Sequence, residues 1–252
     1  MLISALMVLH ICAKAYFTPS PYYLMKVYVG TSGWAYSWNR ENSLGWYAKE
    51  TGLNAIELNT SFYRYPSSSQ VKTWAEEGKD LKWSVKVNQT ITHRYKFNKN
   101  SYARFESFKR VFEPLDNKIK FYLFQLPPIL TPNSLDKIVE FQDRFGLGER
   151  FALEVRNINW FDNEIYKRIK ALGITMVSID SPIGSFIVKT SKSIYLRMHG
   201  RVSWYSYKYK EKELFQIASK ISQLAPTSSY IFFNNDHSML QNARMMLGVQ
   251  KR

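Results

Sequence analysis

The sequence predicts an α/β protein, a single (β/α)8 TIM barrel with one irregular connection after strand six, and three observations predict it. β-rich runs alternate with helical periodicity through eight units, the units fill residues 25–252, and the carboxyl ends of the runs share a polar face. Such barrels usually take ~250 residues. The 252 residues, 45% hydrophobic, are enough to bury one sizeable core.

Strand one is expected over 26–34, a β-rich run that ends in the glycine-punctuated turn Gly30-Thr31-Ser32-Gly33-Trp34. Helical character over 43–51 stops at Gly52, a residue suited to a helix end, and strand two follows over 54–59. Serines at 67–69 can cap a helix over 67–77 that carries Val71, Trp74 and Ala75, and Gly78 ends it before strand three, 82–87. A loop over 88–100 precedes a helix over 102–115 with Phe105, Phe108 and Phe112 on one face. Strand four, 121–126, closes on Pro127-Pro128; a helix over 134–145 turns Leu135, Ile138, Val139 and Phe141 inward, and strand five is 151–155. A helix over 162–172, ended by Gly173, leads to strand six, 174–180. Residues 181–192 have no helical period and are expected as a loop or degenerate helix. Strand seven over 193–198, a helix over 211–224, strand eight over 229–233 and a closing helix over 238–247 complete the count.

No linker breaks this series, so residues 25–252 are expected as one domain. Residues 1–24 read as an apolar leader outside the fold. Lys14 interrupts it short of the ~18 apolar residues of a membrane span, and no basic residue precedes the apolar run as a secretory signal requires. Cys12 is the only cysteine, which excludes an intramolecular disulfide and a cysteine metal cluster. A reducing, cytoplasmic setting without a membrane partner is the expectation. The formal charge of +15, from 35 Lys plus Arg against 20 Asp plus Glu, favours acidic partners such as nucleic acid or phosphorylated metabolites.

Successive strand side chains take opposite faces. Choosing in each strand the face that matches Glu57 gives Ser32, Glu57, Asn59, Lys86, Gln125, Glu154, Arg156, Ser178, Asp180, Arg197, His199 and Asn234 as the inner set at the carboxyl ends. The opposite face reads Val29, Ile56, Leu58, Val85, Leu153, Leu196, Met198, Ile231 and Phe233, suited to packing under helices. Glu57, Glu154 and Asp180 nearly balance Lys86, Arg156 and Arg197, so a structural ion network is one reading, with a Glu57–Lys86 ion pair between adjacent strands. Burying six ionisable groups costs several kcal/mol per ion unless pairing is good, which points instead to a ligand. Aromatics around the ring, among them Trp34, Tyr63 and Trp160, suit stacking on bases or sugars.

The stretches Gly30 to Trp34, Asn54 to Pro66, Val85-Lys86 with Ile91-Thr92-His93, Gln125 to Pro128, Phe151 to Trp160, Leu196 to Gly200, and Phe233 to Asp236 with Asn242-Ala243 resemble the YecE-like family, the domain of unknown function 72. The resemblance spans almost everything after Met25, in order. It implies a TIM barrel and no settled activity; a likeness of such proteins to endonuclease-IV-type barrels is an analogy of fold.

The leading expectation is an enzyme that acts on a phosphate-bearing substrate, nucleic acid or nucleotide, in the barrel mouth. Lys86, Arg156 and Arg197 would hold anionic oxygens, Glu57 or Glu154 would act as general base, His199 as proton shuttle, and Asp180 is the further catalytic candidate. Ser32, Trp34, Asn59, Tyr63, His93, Gln125, Trp160, Asn234 and Asn235 complete the binding set. A divalent metal variant draws on Glu57, Glu154, Asp180, His199 and Asp236, although four histidines in all are few for a barrel of the endonuclease-IV kind. The alternatives are a non-catalytic binder of single-stranded nucleic acid, using the basic loops 93–99 and 201–212, and a glycoside hydrolase built on the Glu57 and Glu154 pair. The basic trio suits a neutral sugar less well.

Overall fold

The computed structural model describes residues 25–250, and the leader expected over 1–24 lies outside the described residues. The strands are β1 (Lys26–Thr31), β2 (Ala55–Leu58), β3 (Lys82–Lys86), β4 (Ile119–Gln125), β5 (Phe151–Glu154), β6 (Thr175–Ser181), β7 (Gly184–Phe186), β8 (Ser193–Met198) and β9 (Ser228–Phe233). Between them run α1 (Leu44–Glu50), α2 (Ser68–Glu77), α3 (Asn100–Val111), α4 (Leu135–Phe145), α5 (Asn163–Ala171), α6 (Glu211–Gln223) and α7 (Met239–Val249). Eight strands follow one another in the order β1-β9-β8-β6-β5-β4-β3-β2, a nearly closed parallel barrel, and β7 pairs antiparallel with β6. Helices begin where short polar side chains satisfy free backbone N–H groups. Ser43 accepts from Trp46, Ser67 forms a reciprocal capping box with Gln70, and Asp162 accepts from Glu164 and Ile165.

The irregular connection after β6 is a hairpin. β7 turns back on β6, and the Ser178 hydroxyl is bound to both the N–H and the carbonyl of Val188, at 3.0 and 3.2 Å.

The two faces of the strands divide the core as the alternation predicts. Val29, Ile56, Leu58, Val85, Leu153, Leu196, Met198, Ile231 and Phe233 pack outward with helix residues such as Phe105, Phe141, Leu214 and Met246. Ala55, Phe121, Leu123, Ala152, Val177, Ile179, Tyr195, Tyr230 and Phe232 fill the lower barrel, where Phe121 meets Tyr230 edge-on at 5.0 Å and Tyr195 at 4.9 Å. This aromatic floor carries the polar layer above it.

Strand six corrects the expected face. Partners in register on neighbouring strands point the same way, and Val177 pairs with Tyr195 and Ile179 with Arg197. Val177 and Ile179 therefore face the interior, and Ser178 and Asp180 face outward. Choosing the polar residues as the inner set inverted this strand, because its inner face is apolar.

Between β1 and β2 the barrel closes by side chains in place of a regular ladder. The Asn54 amide accepts from Val29 N at 2.7 Å and donates to Val27 O at 2.9 Å, while the Tyr47 hydroxyl accepts from Thr31 N at 3.2 Å and donates to Ala55 O at 2.8 Å. Gly30 permits this approach, since a Cβ there would lie 2.2 Å from Ala55 O. Gly30→Ala is expected to cost about 3 kcal/mol in denaturant melts, as a side chain forced into a packed site; parental stability would show that the seam yields freely.

Candidate functional site

The polar layer lies at the carboxyl ends of the strands, the end at which barrel enzymes hold their chemistry. Arg197, fully buried, is its centre. Its Nε and Nη2 donate to the two oxygens of Glu57 at 2.9 and 2.7 Å, and its Nη1 donates to Glu154. Glu57 also accepts from Ser32 Oγ at 2.6 Å and from the Tyr195 hydroxyl. Glu154 also accepts from Arg156 Nη2 at 2.6 Å and from His199 Nε2 at 3.2 Å. All four carboxylate oxygens are engaged. Burial pushes both carboxyls up, but Arg197 at Glu57, and Arg156 with Arg197 at Glu154, outweigh it, so Glu57 is lowered and Glu154 falls well below its ordinary value. Burial and then Arg197 push His199 down to about 4, against its bond to Glu154. The neutral ring donates from Nε2 to Glu154 and accepts at Nδ1 from Asn234 Nδ2 at 3.4 Å. The expected bases and shuttle are thus gathered around one guanidinium.

The expected Glu57–Lys86 ion pair is absent. The Nζ of Lys86, a residue 8% exposed, makes no hydrogen bond or ion pair among the described residues and lies 4.1 Å from the centre of the Phe62 ring. Burial and then Arg197 lower it to about 7 from the ordinary 10.5. Between those two values the unfolded chain holds a proton that the folded chain lacks, so this group makes stability rise with pH across that window. Lys86→Met is expected to raise the urea midpoint at neutral pH and to flatten the rise towards pH 10; an undiminished rise in the variant would contradict this.

A cavity of about 830 Å³ opens over Lys86. Ser32, Trp34, Asn59, Tyr63 and Asn234 of the expected binding set line it, together with Tyr36, Arg64, Tyr205 and Asp236. Arg156 stacks over the Trp204 ring at 4.4 Å and reaches Gln125 Oε1 at 3.5 Å. His93 meets Phe62 edge-on at 5.2 Å.

Three expected residues serve the scaffold. Trp160 is fully buried and donates to Leu130 O at 2.8 Å. Asn235 is buried and donates to Tyr207 O and Asn242 Oδ1 at 2.6 and 2.8 Å. Asp180 points away from the mouth, where it accepts from Arg201 Nε at 3.0 Å and from the Tyr209 hydroxyl at 2.8 Å, and Arg201 also reaches Glu213 at 2.8 Å. These bonds clamp the loop that carries Trp204 and Tyr205, whose rings lie 5.3 and 5.7 Å from the His199 ring. Tyr195, which binds Glu57 from below, was not in the expected set, although its parity with Arg197 and His199 marks it.

The five expected metal ligands do not converge. Asp180 is outside the mouth, Asp236 pairs with His237 at 3.5 Å on the surface, and the oxygens of Glu57 and Glu154 are occupied. Among the described residues no three His, Cys, Asp or Glu side chains are placed to hold a metal ion. A glycosidase needs one carboxyl raised as general acid, whereas both are lowered here.

Solved structures share this fold. A DUF72 family protein from Thermotoga maritima MSB8 is 28% identical, with a TM-score of 0.75 over 90% of this chain and 100% of that one. A DUF72 family protein from Enterococcus faecalis V583 is 18% identical, with a TM-score of 0.77 over 90% and 96%. A methyltransferase from Methanosarcina mazei, 10% identical with a TM-score of 0.53 over 90% and 93%, shares the fold alone. No curated protein matches the chain, and no helix among the described residues is long and apolar enough to cross a membrane. The family described as "Protein of unknown function DUF72" matches residues 28–251, and the chain belongs to that family.

Proposed function

We propose that the chain is an enzyme that binds a phosphate-bearing small molecule, of nucleotide or sugar-phosphate size, in the barrel mouth. One observation carries the reading: Glu57 and Glu154 are both committed to Arg197, Arg156 and His199, whereas Lys86 faces the cavity with no carboxylate of its own. An anionic group placed there balances Lys86, on which the nearby charge of Arg156 also acts, in surroundings that screen charge far less than water does. Arg64 adds a positive charge at the rim, and Trp34, Tyr63 and Tyr205 offer ring faces for a base or sugar. Asn59 Oδ1 and Arg156 Nε are buried without a partner, a state that costs about 1–3 kcal/mol per group. The cavity volume falls within the usual range of small-molecule sites, roughly 300–1,000 Å³.

In this reading Glu57 and Glu154 hold the guanidinium groups in place. Lys86 is the group in the mouth whose proton affinity lies near neutrality, which suits it to proton transfer. Calorimetric titration with AMP against adenosine, and with ribose 5-phosphate against ribose, tests the reading. At least one phosphorylated ligand should bind more than about tenfold tighter than its neutral counterpart, a difference of about 1.4 kcal/mol. Equal binding within both pairs, or none, would remove it.

A further inference from the structure

We propose that Lys86 is a covalent, imine-forming lysine, and that the molecule bound in the mouth carries an aldehyde or ketone beside its phosphate. The substrate's charged end rests on the function proposed above; the lysine chemistry rests on the site itself.

The enclosed arginines beside this mouth follow one pattern, and Lys86 departs from it. Arg197 and Arg156 each donate to a carboxylate. Lys86 is more than nine-tenths enclosed, lines the cavity, and sets its Nζ over the face of Phe62 with no hydrogen bond or ion pair among the described residues. A lysine kept for structure gains by pairing, because an unpaired buried ammonium is costly. Enclosure in an apolar wall next to another cation is, by contrast, the arrangement that activates an amine as a nucleophile. Phe62 supplies the wall, and Arg197 is the neighbouring cation that disfavours the ammonium form. Glu154 and Glu57 act on Nζ through space in favour of the ammonium, but neither is bonded to it, and burial with Arg197 outweighs them.

The step balances without any oxidant or reductant. The Nζ lone pair attacks the carbonyl carbon, the carbonyl π pair moves to oxygen, and that oxygen takes up a proton to give a carbinolamine. A second proton on the hydroxyl lets water leave as the nitrogen lone pair forms the C=N bond, and nitrogen keeps one hydrogen. Overall the lysine ammonium and the carbonyl compound give a protonated imine and one water. The positive charge returns to the position beside Phe62, whose ring face favours a cation.

Glycolaldehyde, which carries no phosphate, and sodium borohydride test the proposal on the full chain. Borohydride reduces the imine to a stable secondary amine, which peptide mass mapping locates. At neutral pH the label should appear on Lys86 at least about ten times faster than on exposed lysines such as Lys72 or Lys212. Labelling of Lys86 no faster than theirs would overturn the proposal. The comparison is made within the parental chain, so it does not depend on a variant folding. Adding sulfate separates the two readings. Slower labelling of Lys86 supports both. Rapid labelling that sulfate leaves unchanged upholds the lysine chemistry against the phosphate reading, and phosphate-selective binding without rapid labelling does the reverse.

Discussion

Replacing Arg197 by Met is expected to lower stability by about 3–5 kcal/mol, because it leaves two buried carboxylates without their shared cation. Glu57 and Glu154 are both fully buried, and Arg197 gives three of the hydrogen bonds that hold them. Ser32 and Tyr195 at Glu57 are neutral donors and cannot replace the charge. The loss should grow as pH rises through the ordinary carboxyl range and be fully present above it, since in the parent the two depressed carboxyls contribute stability that is present above that range and lost on acidification. Adding Glu57→Gln and Glu154→Gln to Arg197→Met should recover part of the loss by removing the unpaired charges. Urea melts read both results. A loss below about 1 kcal/mol would place water or another cation beside these carboxylates.

Arg156→Ala is expected to separate binding from folding. Its guanidinium is one of three donors to Glu154, and Arg197 and His199 remain after its removal. The stability cost should therefore stay near that of one charge-assisted hydrogen bond, about 1.5–3 kcal/mol. Affinity for a phosphorylated ligand should fall further, by about 100-fold or more, because both its fork and its stack on Trp204 are lost. Arg156→Lys should keep the charge and recover only part of the affinity. Equal losses in binding and folding, measured on the same preparation, would reduce Arg156 to a structural partner of Glu154.

Much of this architecture is legible in the sequence because strands and helices carry different periods and end on recognisable residues. Gly52, Gly78 and Gly173 mark real helix ends, and in seven of the eight strands the polar residue at the carboxyl end, carried back by the period of two, marks the true inner face. Strand six does not, since Val177 and Ile179 are as apolar as Leu196 and Met198, and only its register with β8 tells which side is inside. Pairing is less legible than position. The sequence brings Glu57, Lys86, Glu154 and Arg197 to one layer, but Glu57 bonds across the barrel to Arg197 and not to Lys86 on the adjacent strand. A guanidinium with donors on two edges can bridge two carboxylates, and an ammonium on a shorter reach cannot match that fork. The loop aromatics divide by what their backbone permits: Trp34 and Tyr63 reach the cavity, while Trp160 turns into the core.

Proton uptake on anion binding tests most directly whether Lys86 faces an anion in the mouth. Sulfate is a suitable probe because it does not itself titrate near neutrality. At about pH 8 Lys86 is mostly neutral, with a folded value of about 7, and a bound dianion should draw it back to the ammonium form. Calorimetry in two buffers of different ionisation enthalpy should show about half a proton or more taken up per sulfate bound, and almost none with Lys86→Met. Sulfate binding without proton uptake, or with the same uptake in the variant, would contradict the account.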